Sequence, residues 1–344
     1  MKYIEQEYAV ARVSIVSNKL VMELRWDPIL REWVMVSNIR EHRPWQPSSF
    51  CPFCPGTPET GENWSVLVLK NKYPMLSTKS PVPEKHWFYK KERAIGECLV
   101  VVETPKHDLD DLSDLELDHI VIVLKKIIET HKEYRDKKWA KYFFWFRNKG
   151  KEIGVSLTHP HSQIYVTPFI PVKIQRELHS SKEYFEEHKE CLFCKILSVE
   201  EKDGERIVYS NNSWIAFIPF YAHWPFEVHV YPRRHVQWLD QLDDAEIIGL
   251  AKALKSVLCG LKNIFEKPMP YMLVLHQAPF NGIYEYYHMH IEIYGVYRKS
   301  GKLKYAAGME TGGGNFTYDS TPEENAQLLK RAIIEKCGGS ECVK

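Results

Sequence analysis

The chain has 344 residues, of which 46 are Lys or Arg and 45 are Asp or Glu, so its formal net charge is +1. This balance does not provide the broad basic surface on which nonspecific nucleic-acid binding depends. No apolar run approaches the roughly eighteen residues of a membrane span, and residues 1–18 lack the features of a signal peptide. The sequence therefore predicts a soluble, cytoplasmic protein that binds neither nucleic acid nor membrane.

Apolar and β-branched runs predict two series of strands. The first falls at 33–36, 65–69, 98–103, 142–146 and 163–166, and the second at 206–209, 214–219, 227–231, 271–275 and 290–294. Each series contains a long amphipathic helix at the matching place, the first beginning at Ser113 and the second near Asp243. Ser113 would cap its helix while Glu116 reaches back to it. Further helices are predicted at 172–189 and 321–336.

The order of these elements predicts an α+β fold with a mainly antiparallel sheet and flanking helices. Because both series run through the same order, we interpret the chain as a duplicated unit, with residues 1–189 and 190–344 as its halves. The stretch 299–316 is rich in Gly and Lys and predicts a loop before the last helix. Such a loop is either a flexible connection or a functional segment.

A pattern of metal ligands occurs once in each half. A Cys-x-x-Cys pair is followed by one histidine and then, at nearly equal spacing, by a second histidine at the start of a strand. The residues are Cys51, Cys54, His107 and His159 in the first half, and Cys191, Cys194, His235 and His288 in the second. Two thiolates and two imidazoles suit a tetrahedral zinc ion, so the pattern predicts two closed, structural zinc sites.

The cysteines allow other interpretations. A redox-active dithiol normally opens a helix, whereas Pro52, Pro55 and Gly56 indicate a rigid turn around the first pair. Four further cysteines have no such spacing, namely Cys98, Cys259, Cys337 and Cys342. We interpret them as buried or free thiols, since a disulfide among them would fit mainly a hyperthermophilic source.

His161 lies two residues after His159, and strand alternation places the two on one face. A neutral imidazole is a competent nucleophile toward phosphorus when a hydrogen bond fixes its other ring nitrogen. Gln163 offers amide donors to phosphoryl oxygens that gain charge in the transition state, while Ser156 and Asn148 offer polar groups to a leaving phosphate. A core histidine is the commoner role for such a residue, but these neighbours predict a phosphoryl-transfer site.

At these residues the sequence resembles the galactose-1-phosphate uridylyltransferase family, within the histidine-triad superfamily. The H-P-H-x-Q motif of that family stands at 159–163, and its basic R-x-x-R-P-W signature stands at 40–45. Asn148 matches the asparagine that precedes the nucleophile, and the stretch A-P-F-N-G stands at 278–282. The resemblance runs from about residue 26 to the last helix and implies a duplicated histidine-triad-like fold.

The resemblance implies a ping-pong nucleotidyltransferase. His161 would take UMP from UDP-glucose, release glucose 1-phosphate, and pass the uridylyl group to galactose 1-phosphate to give UDP-galactose. Gln163 would stabilise the transferring phosphoryl group, and Ser156 the departing sugar phosphate. Arg40, Arg43, Asn71 and Asn148 would contact the nucleotide, and Lys304, Tyr305, Met309 and Glu310 the hexose. A second subunit completes the active site in that family, so a homodimer is expected.

The resemblance leaves two alternatives open. Well-known bacterial members bind their second metal through a glutamate and three histidines, here Glu177, His276, His288 and His290, which could hold iron or zinc. We favour the cysteine site because thiolates suit zinc better than a carboxylate does, which leaves His290 as a relic with a packing role.

The alternative function is a nucleotide-sugar phosphorylase, adenylyltransferase or hydrolase of the same superfamily. The stretch 304–310 fits a hexose acceptor, which a hydrolase would not need. A nucleotide-binding module without turnover is a third class, and it is disfavoured by the presence of both His161 and Gln163.

Overall fold

A computed structural model describes residues 19–42 and 51–338 of the chain. The helices in these ranges are α1 Leu117–Arg135, α2 Val172–His188, α3 Leu192–Asp203, α4 Asp244–Asn263 and α5 Pro322–Lys336. The strands are β1 Met22–Asp27, β2 Glu32–Ser37, β3 Leu67–Lys70, β4 Lys91–Arg93, β5 Glu97–Val102, β6 Tyr142–Lys149, β7 His161–Thr167, β8 Ile207–Ser210, β9 Trp214–Phe217, β10 Phe226–Pro232, β11 Tyr271–His276, β12 His290–Gly295, β13 Tyr297–Lys299 and β14 Lys302–Leu303. Within the same ranges, no helix is both long enough and apolar enough to cross a membrane.

Nine strands form one antiparallel sheet that runs through both halves, in the order β3-β5-β7-β6-β11-β12-β10-β9-β8. The halves meet where β6 pairs with β11. From that line β7, β5 and β3 follow on one side, and β12, β10 and β9 follow on the other. The mirrored order confirms the predicted α+β class and the duplication. The proposed boundary after residue 189 falls between α2 and α3 and stays a prediction.

Side-chain alternation gives the sheet two different faces. On β6, Phe143 and Trp145 point into the larger apolar core, which also contains Leu124 of α1 and Leu254 of α4. Tyr142 points to the opposite face and joins a smaller cluster with residues of α2 and α3. The face that carries Tyr142 in β6 also carries the side chains that line the candidate active site.

The predicted start of the first long helix at Ser113 is wrong. Residues Leu112–Asp114 form a separate 3-10 turn, and the helix begins at Leu117. The Asp114 carboxylate accepts a hydrogen bond from the Asp111 backbone N–H at 2.9 Å, which closes the short turn, and Leu115 is then extended. Four residues are therefore lost from the predicted helix, because a local side-chain bond competes with its first turn.

The second long helix begins as predicted. Asp243 accepts a hydrogen bond from the Glu246 backbone N–H at 2.8 Å, and the Glu246 carboxylate accepts one from the Asp243 N–H in return. This reciprocal pair is a capping box, and it also places acidic groups where the helix dipole favours them. The helices predicted at 172–189 and 321–336 are confirmed as α2 and α5.

Several elements were not predicted. The strands β1 and β4 complete a three-stranded sheet with β2, and α3 starts directly after Cys191. The hairpin of β13 and β14 leads into the Gly-rich stretch, which also contains a π-helical turn at Gly308–Gly313. A disulfide joins Cys259 to Cys337, so those two are not the free thiols that the sequence suggested. Cys98 is a buried free thiol, and Cys342 lies outside the described residues.

Candidate active site and metal centres

The candidate nucleophile is held at the first position of β7. The Nδ1–H of His161 donates a hydrogen bond to the backbone carbonyl of His159 at a distance of 2.8 Å. Because this bond fixes the proton on Nδ1, the lone pair of the neutral ring lies on Nε2. The Phe53 ring packs against the same imidazole with 5.3 Å between the ring centroids. The orientation and tautomer of His161 are therefore both set by the protein.

Two adjoining cavities of about 250 and 190 Å³ share His161, Gln163 and Ser156. The larger is also lined by Asn71, and the smaller by Arg40 and Asn148. The predicted catalytic residues and three of the four predicted nucleotide contacts thus come together around one imidazole, in a space of the size that small ligands occupy. Arg43 lies outside the described residues.

Arg40 is steered toward this site by a neighbour that sequence reasoning missed. Its guanidinium donates a hydrogen bond to the Tyr165 hydroxyl at 3.1 Å, and Tyr165 lines the smaller cavity. On β7, Tyr165 is two residues beyond Gln163 and therefore on the same face. That period-two spacing is the signal by which it could have been found.

The first predicted set of metal ligands has the geometry of a tetrahedral site. Cys54 Sγ is 3.4 Å from His107 Nδ1 and 3.8 Å from His159 Nδ1, and the two imidazole nitrogens are 3.2 Å apart. Cys51 Sγ lies 3.6 Å from His159 Nδ1. Zinc bonds of about 2.0–2.3 Å in a tetrahedron place the ligand atoms about 3.3–3.8 Å apart. The donor set therefore fits zinc.

His159 is also oriented from behind. Its Nε2–H donates a hydrogen bond to the Thr104 carbonyl at 2.7 Å, which leaves Nδ1 to face the cysteines. Burial lowers the pKa of this imidazole, so it is neutral and able to bind a metal near pH 7. The same residue thus contacts the metal site through its ring and holds His161 through its carbonyl oxygen.

The second predicted set comes together in the same way. Cys194 Sγ is 3.2 Å from His235 Nδ1 and 3.4 Å from His288 Nδ1, and the ligand atoms of all four residues lie within 4.8 Å of one another. A hydrogen bond from Cys194 lowers the pKa of Cys191, which favours the thiolate form that binds a metal. The four donors fit a closed zinc site.

The alternative ligand set does not assemble as expected. Glu177, His276 and His290 do lie together, but the fourth member of their group is Glu292 and not His288. Glu177 Oε1 is 2.9 Å from His276 Nδ1, and His290 Nε2 is 3.5 Å from Glu292. Burial raises the pKa of Glu177, but the charge of His276 outweighs it and the pKa is lowered. These groups form a buried charged network beside the second cysteine site.

The predicted hexose contacts are absent from the lining of the two cavities beside His161. The Lys304 ammonium is instead buried and donates hydrogen bonds to Glu310 and to the Thr317 carbonyl. Tyr305 and Met309, between them, are mostly exposed, at 67% and 54%. The segment is therefore ordered by its own ion pair while it presents two apolar side chains outward.

The fold and the site together define a nucleotidyltransferase built from a duplicated α+β unit. Residues 13–171 match the family described as galactose-1-phosphate uridyl transferase, N-terminal domain, and residues 177–337 match its C-terminal domain. The chain belongs to the galactose-1-phosphate uridylyltransferase family.

Individual relatives agree with this membership. A galactose-1-phosphate uridylyltransferase of Thermotoga maritima is 37% identical over 322 residues, which cover 92% of this chain and all of the relative. An ADP-glucose phosphorylase of Arabidopsis thaliana is 30% identical over 347 residues, which cover 91% of this chain and 93% of the relative. A solved uridylyltransferase structure superimposes with a TM-score of 0.86 at 51% identity, over 91% of this chain and 99% of that one.

Proposed function

We propose that the chain transfers UMP from UDP-glucose to galactose 1-phosphate through a covalent intermediate on His161. In the first half-reaction Nε2 attacks the α-phosphorus, a P–N bond forms, and the P–O bond to glucose 1-phosphate breaks. In the second, a phosphate oxygen of galactose 1-phosphate attacks the same phosphorus and releases the imidazole. The observation that carries the proposal is the 2.8 Å bond from Nδ1 to His159, which leaves the lone pair on Nε2 in a cavity shared with Gln163 and Ser156.

Each of the neighbouring residues has a distinct role in this proposal. The Gln163 amide donates to the non-bridging oxygens as their charge grows, and the Ser156 hydroxyl binds the departing sugar phosphate. Arg40, held by Tyr165, and Asn148 on the adjacent strand bind the nucleotide phosphates from the smaller cavity. Arg43 is assigned to the same role by its place in the family motif.

We propose zinc in both cysteine sites. Each site would hold a Cys-x-x-Cys turn against two histidines from separate parts of its half, and a bound zinc ion supplies structural cross-linking there. Four protein ligands leave no open position for substrate, so we assign neither site a chemical step. In the first half, zinc binding would fix the position of His159. The His159 carbonyl would in turn hold the His161 ring in place.

The hexose side of the site is proposed to come from a second copy of the chain. Tyr305 and Met309 are exposed and lie outside the lining of the cavities beside their own His161, as expected if they act on a partner. Mixing a His161→Asn variant with a Tyr305→Ala, Met309→Ala variant tests this. Recovery of transfer in the mixture, which neither variant shows alone, supports a shared site, and no recovery contradicts it.

Mass spectrometry after exposure to UDP-glucose alone tests the covalent step. We expect a uridylyl adduct on a peptide that contains His161, its absence in the His161→Asn variant, and its discharge by galactose 1-phosphate. No adduct in the wild type would refute the mechanism. Prompt discharge by inorganic phosphate would instead favour a phosphorylase, the activity named for the Arabidopsis relative, and prompt discharge by water a hydrolase.

Metal analysis tests the second zinc site. A Cys191→Ser, Cys194→Ser variant is expected to lose one zinc ion per chain and to keep the other. An unchanged metal content would place the second metal among Glu177, His276, His290 and Glu292 instead. A Cys98→Ser variant is the matched control, because Cys98 is buried but lies in neither ligand set.

A further inference from the structure

A buried ion pair lies behind the strand that carries the nucleophile. The guanidinium Nε of Arg147 is 3.2 and 3.1 Å from the two carboxylate oxygens of Glu103. The side chains are 2% and 0% exposed. Neither residue lines the cavities beside His161, and neither belongs to a group of candidate metal ligands. The pair has no role in the function described so far.

The pair joins two strands that are not neighbours. Glu103 directly follows β5, and Arg147 belongs to β6, while β7 lies between these strands in the sheet. The ion pair therefore crosses the inner face of β7. The register places the crossing at the active site, since Val102 is opposite His161 and Phe146 is opposite Gln163.

The same network ties the loop that carries His107. The Arg147 guanidinium donates a hydrogen bond to the Tyr271 hydroxyl at 2.9 Å, and this hydroxyl donates one to Asp111 at 2.7 Å. Glu103 and Asp111 lie at the two ends of the segment that contains His107. Both ends of this segment are thus connected to a single guanidinium.

Backbone contacts carry the constraint to the nucleophile itself. The N–H of Glu103 donates a hydrogen bond to the carbonyl of Pro160 at 3.1 Å, and Pro160 stands between His159 and His161. The next residue, Thr104, accepts the hydrogen bond from the His159 ring. A displacement of Glu103 would therefore move the metal ligand and the nucleophile together.

Stability alone does not account for such a pair. Apolar side chains of similar volume often replace a buried ion pair without loss of stability, because desolvation offsets most of the Coulomb attraction. A buried guanidinium that donates to both Glu103, through Nε, and Tyr271, through Nη1, does, however, fix distances and angles between the elements that it joins. The ion pair of Glu103 and Arg147 lies across the back of β7, so the distances that it fixes include those around His161.

We propose that Glu103 and Arg147 are positioning residues for uridylyl transfer. The ion pair holds β5, β7 and β6 in one arrangement at the level of His161, so that Nε2 keeps its place relative to Gln163 and Asn148. The proposal rests on the assignment of His161 as the nucleophile. A shift of about 1 Å at a reacting atom can cost about a hundredfold in rate.

Rapid-mixing measurement of uridylyl-enzyme formation tests the proposal. A Glu103→Leu, Arg147→Met variant replaces the pair with apolar groups, and the buried Asp111 carboxylate, 3.8 Å from the Arg147 guanidinium in the wild type, keeps its hydrogen bond from Tyr271. We expect its first half-reaction to be about ten- to a hundredfold slower, with zinc content unchanged and UDP-glucose affinity within about threefold. The control is Glu200→Leu, Arg206→Met. It removes another buried pair in which one Nε–H is shared between both carboxylate oxygens, at 3.2 and 2.9 Å, next to the far edge strand β8 of the sheet, and it leaves the rate unchanged.

A wild-type rate in the Glu103→Leu, Arg147→Met variant, or equal slowing in the control, would overturn the positioning role. Failure of the wild type to form any adduct would refute the proposed function instead. If the double variant loses zinc or does not fold, the same rate is measured in an Arg147→Lys variant. A lysine keeps the positive charge beside Glu103 but cannot also reach Tyr271. Slower transfer with zinc retained supports the proposal, and a wild-type rate overturns it.

Discussion

The disulfide between Cys259 and Cys337 is expected to stabilise the chain by a measurable amount. It joins the C-terminal part of α4 to the residue that follows α5, across 78 positions of sequence. Its removal by a Cys259→Ala, Cys337→Ala variant frees the unfolded chain to adopt more conformations. The chain-entropy relation for a loop of this length gives a loss of about 4.5 kcal/mol at 25 °C.

The corresponding shift in melting temperature follows from chain length. An unfolding entropy of about 2.1 cal/mol/K per residue, taken over 344 residues, converts this loss to a fall of about 6 °C. Differential scanning calorimetry would measure it. Because the effect arises from the cross-link, a phosphine reductant should lower the melting temperature of the wild type but not that of the variant.

A Cys98→Ala variant provides the comparison. Cys98 is buried but unpaired, so its removal costs only the packing of one thiol, about 1 kcal/mol. Peptide mapping of the wild type without reduction should recover Cys259 and Cys337 in one pair of linked peptides. A double variant that melts within about 1 °C of the wild type would refute the reasoning.

Three further results are expected. Burial lowers the pKa of His131 to about 4, while its pKa in the unfolded chain is about 6.5. The unfolded state therefore binds the proton first, and up to about 3 kcal/mol of stability is lost as the pH falls from 6.5 to 4. Urea unfolding of His131→Phe should show a smaller loss of stability over this pH range, and an equal loss would contradict the reasoning. Gly260→Ala would place a methyl 2.5 Å from Ile333 Cγ1 and should cost about 1–3 kcal/mol. The cost should be smaller in an Ile333→Ala background, which lacks Cγ1, and full wild-type stability of Gly260→Ala would show that α5 shifts freely. Gln163→Met should slow uridylyl transfer about 10²- to 10³-fold with zinc retained, and an unchanged single-turnover rate would exclude Gln163 from the transition state.

The duplication and most of the site could be predicted because their signals are local or periodic. Alternation along β7 places His161 and Gln163 on one face, and the repeated Cys-x-x-Cys pair marks each half. The predicted start of α1 was wrong because the Asp114 carboxylate accepts a hydrogen bond from the Asp111 backbone N–H within a separate turn. Nothing in the sequence around Ser113 distinguishes that turn from a helix cap.

Contacts between side chains far apart in the sequence could not be predicted. Glu103 and Arg147 are 44 positions apart, and their contact depends on β7 lying between β5 and β6. The order of strands in a sheet is set by tertiary packing and cannot be read from hydrophobic periodicity. For the same reason Glu292 was not placed with His276 and His290, although it stands two residues after His290, as Gln163 stands two residues after His161.

That correspondence explains why we assign the reaction to the first half and not to the second. In the first half Gln163 is opposite Val100, and in the second Glu292 is opposite His229. His290 keeps the bond from Nδ1 to the carbonyl two residues earlier, at 3.1 Å, and a phenylalanine ring, Phe193, packs against it as Phe53 packs against His161.

The orientation of the second imidazole has therefore survived while its surroundings have changed. Where the first half has a neutral amide beside a cavity, the second has a buried carboxylate that interacts with His229, His276 and Lys173. A carboxylate at that place repels a phosphoryl group, and the 1% exposure of His290 leaves no room for a substrate. Orientation of the histidine is thus a property of the repeated unit, whereas the reactivity proposed for His161 depends on the amide and the open space that His290 lacks.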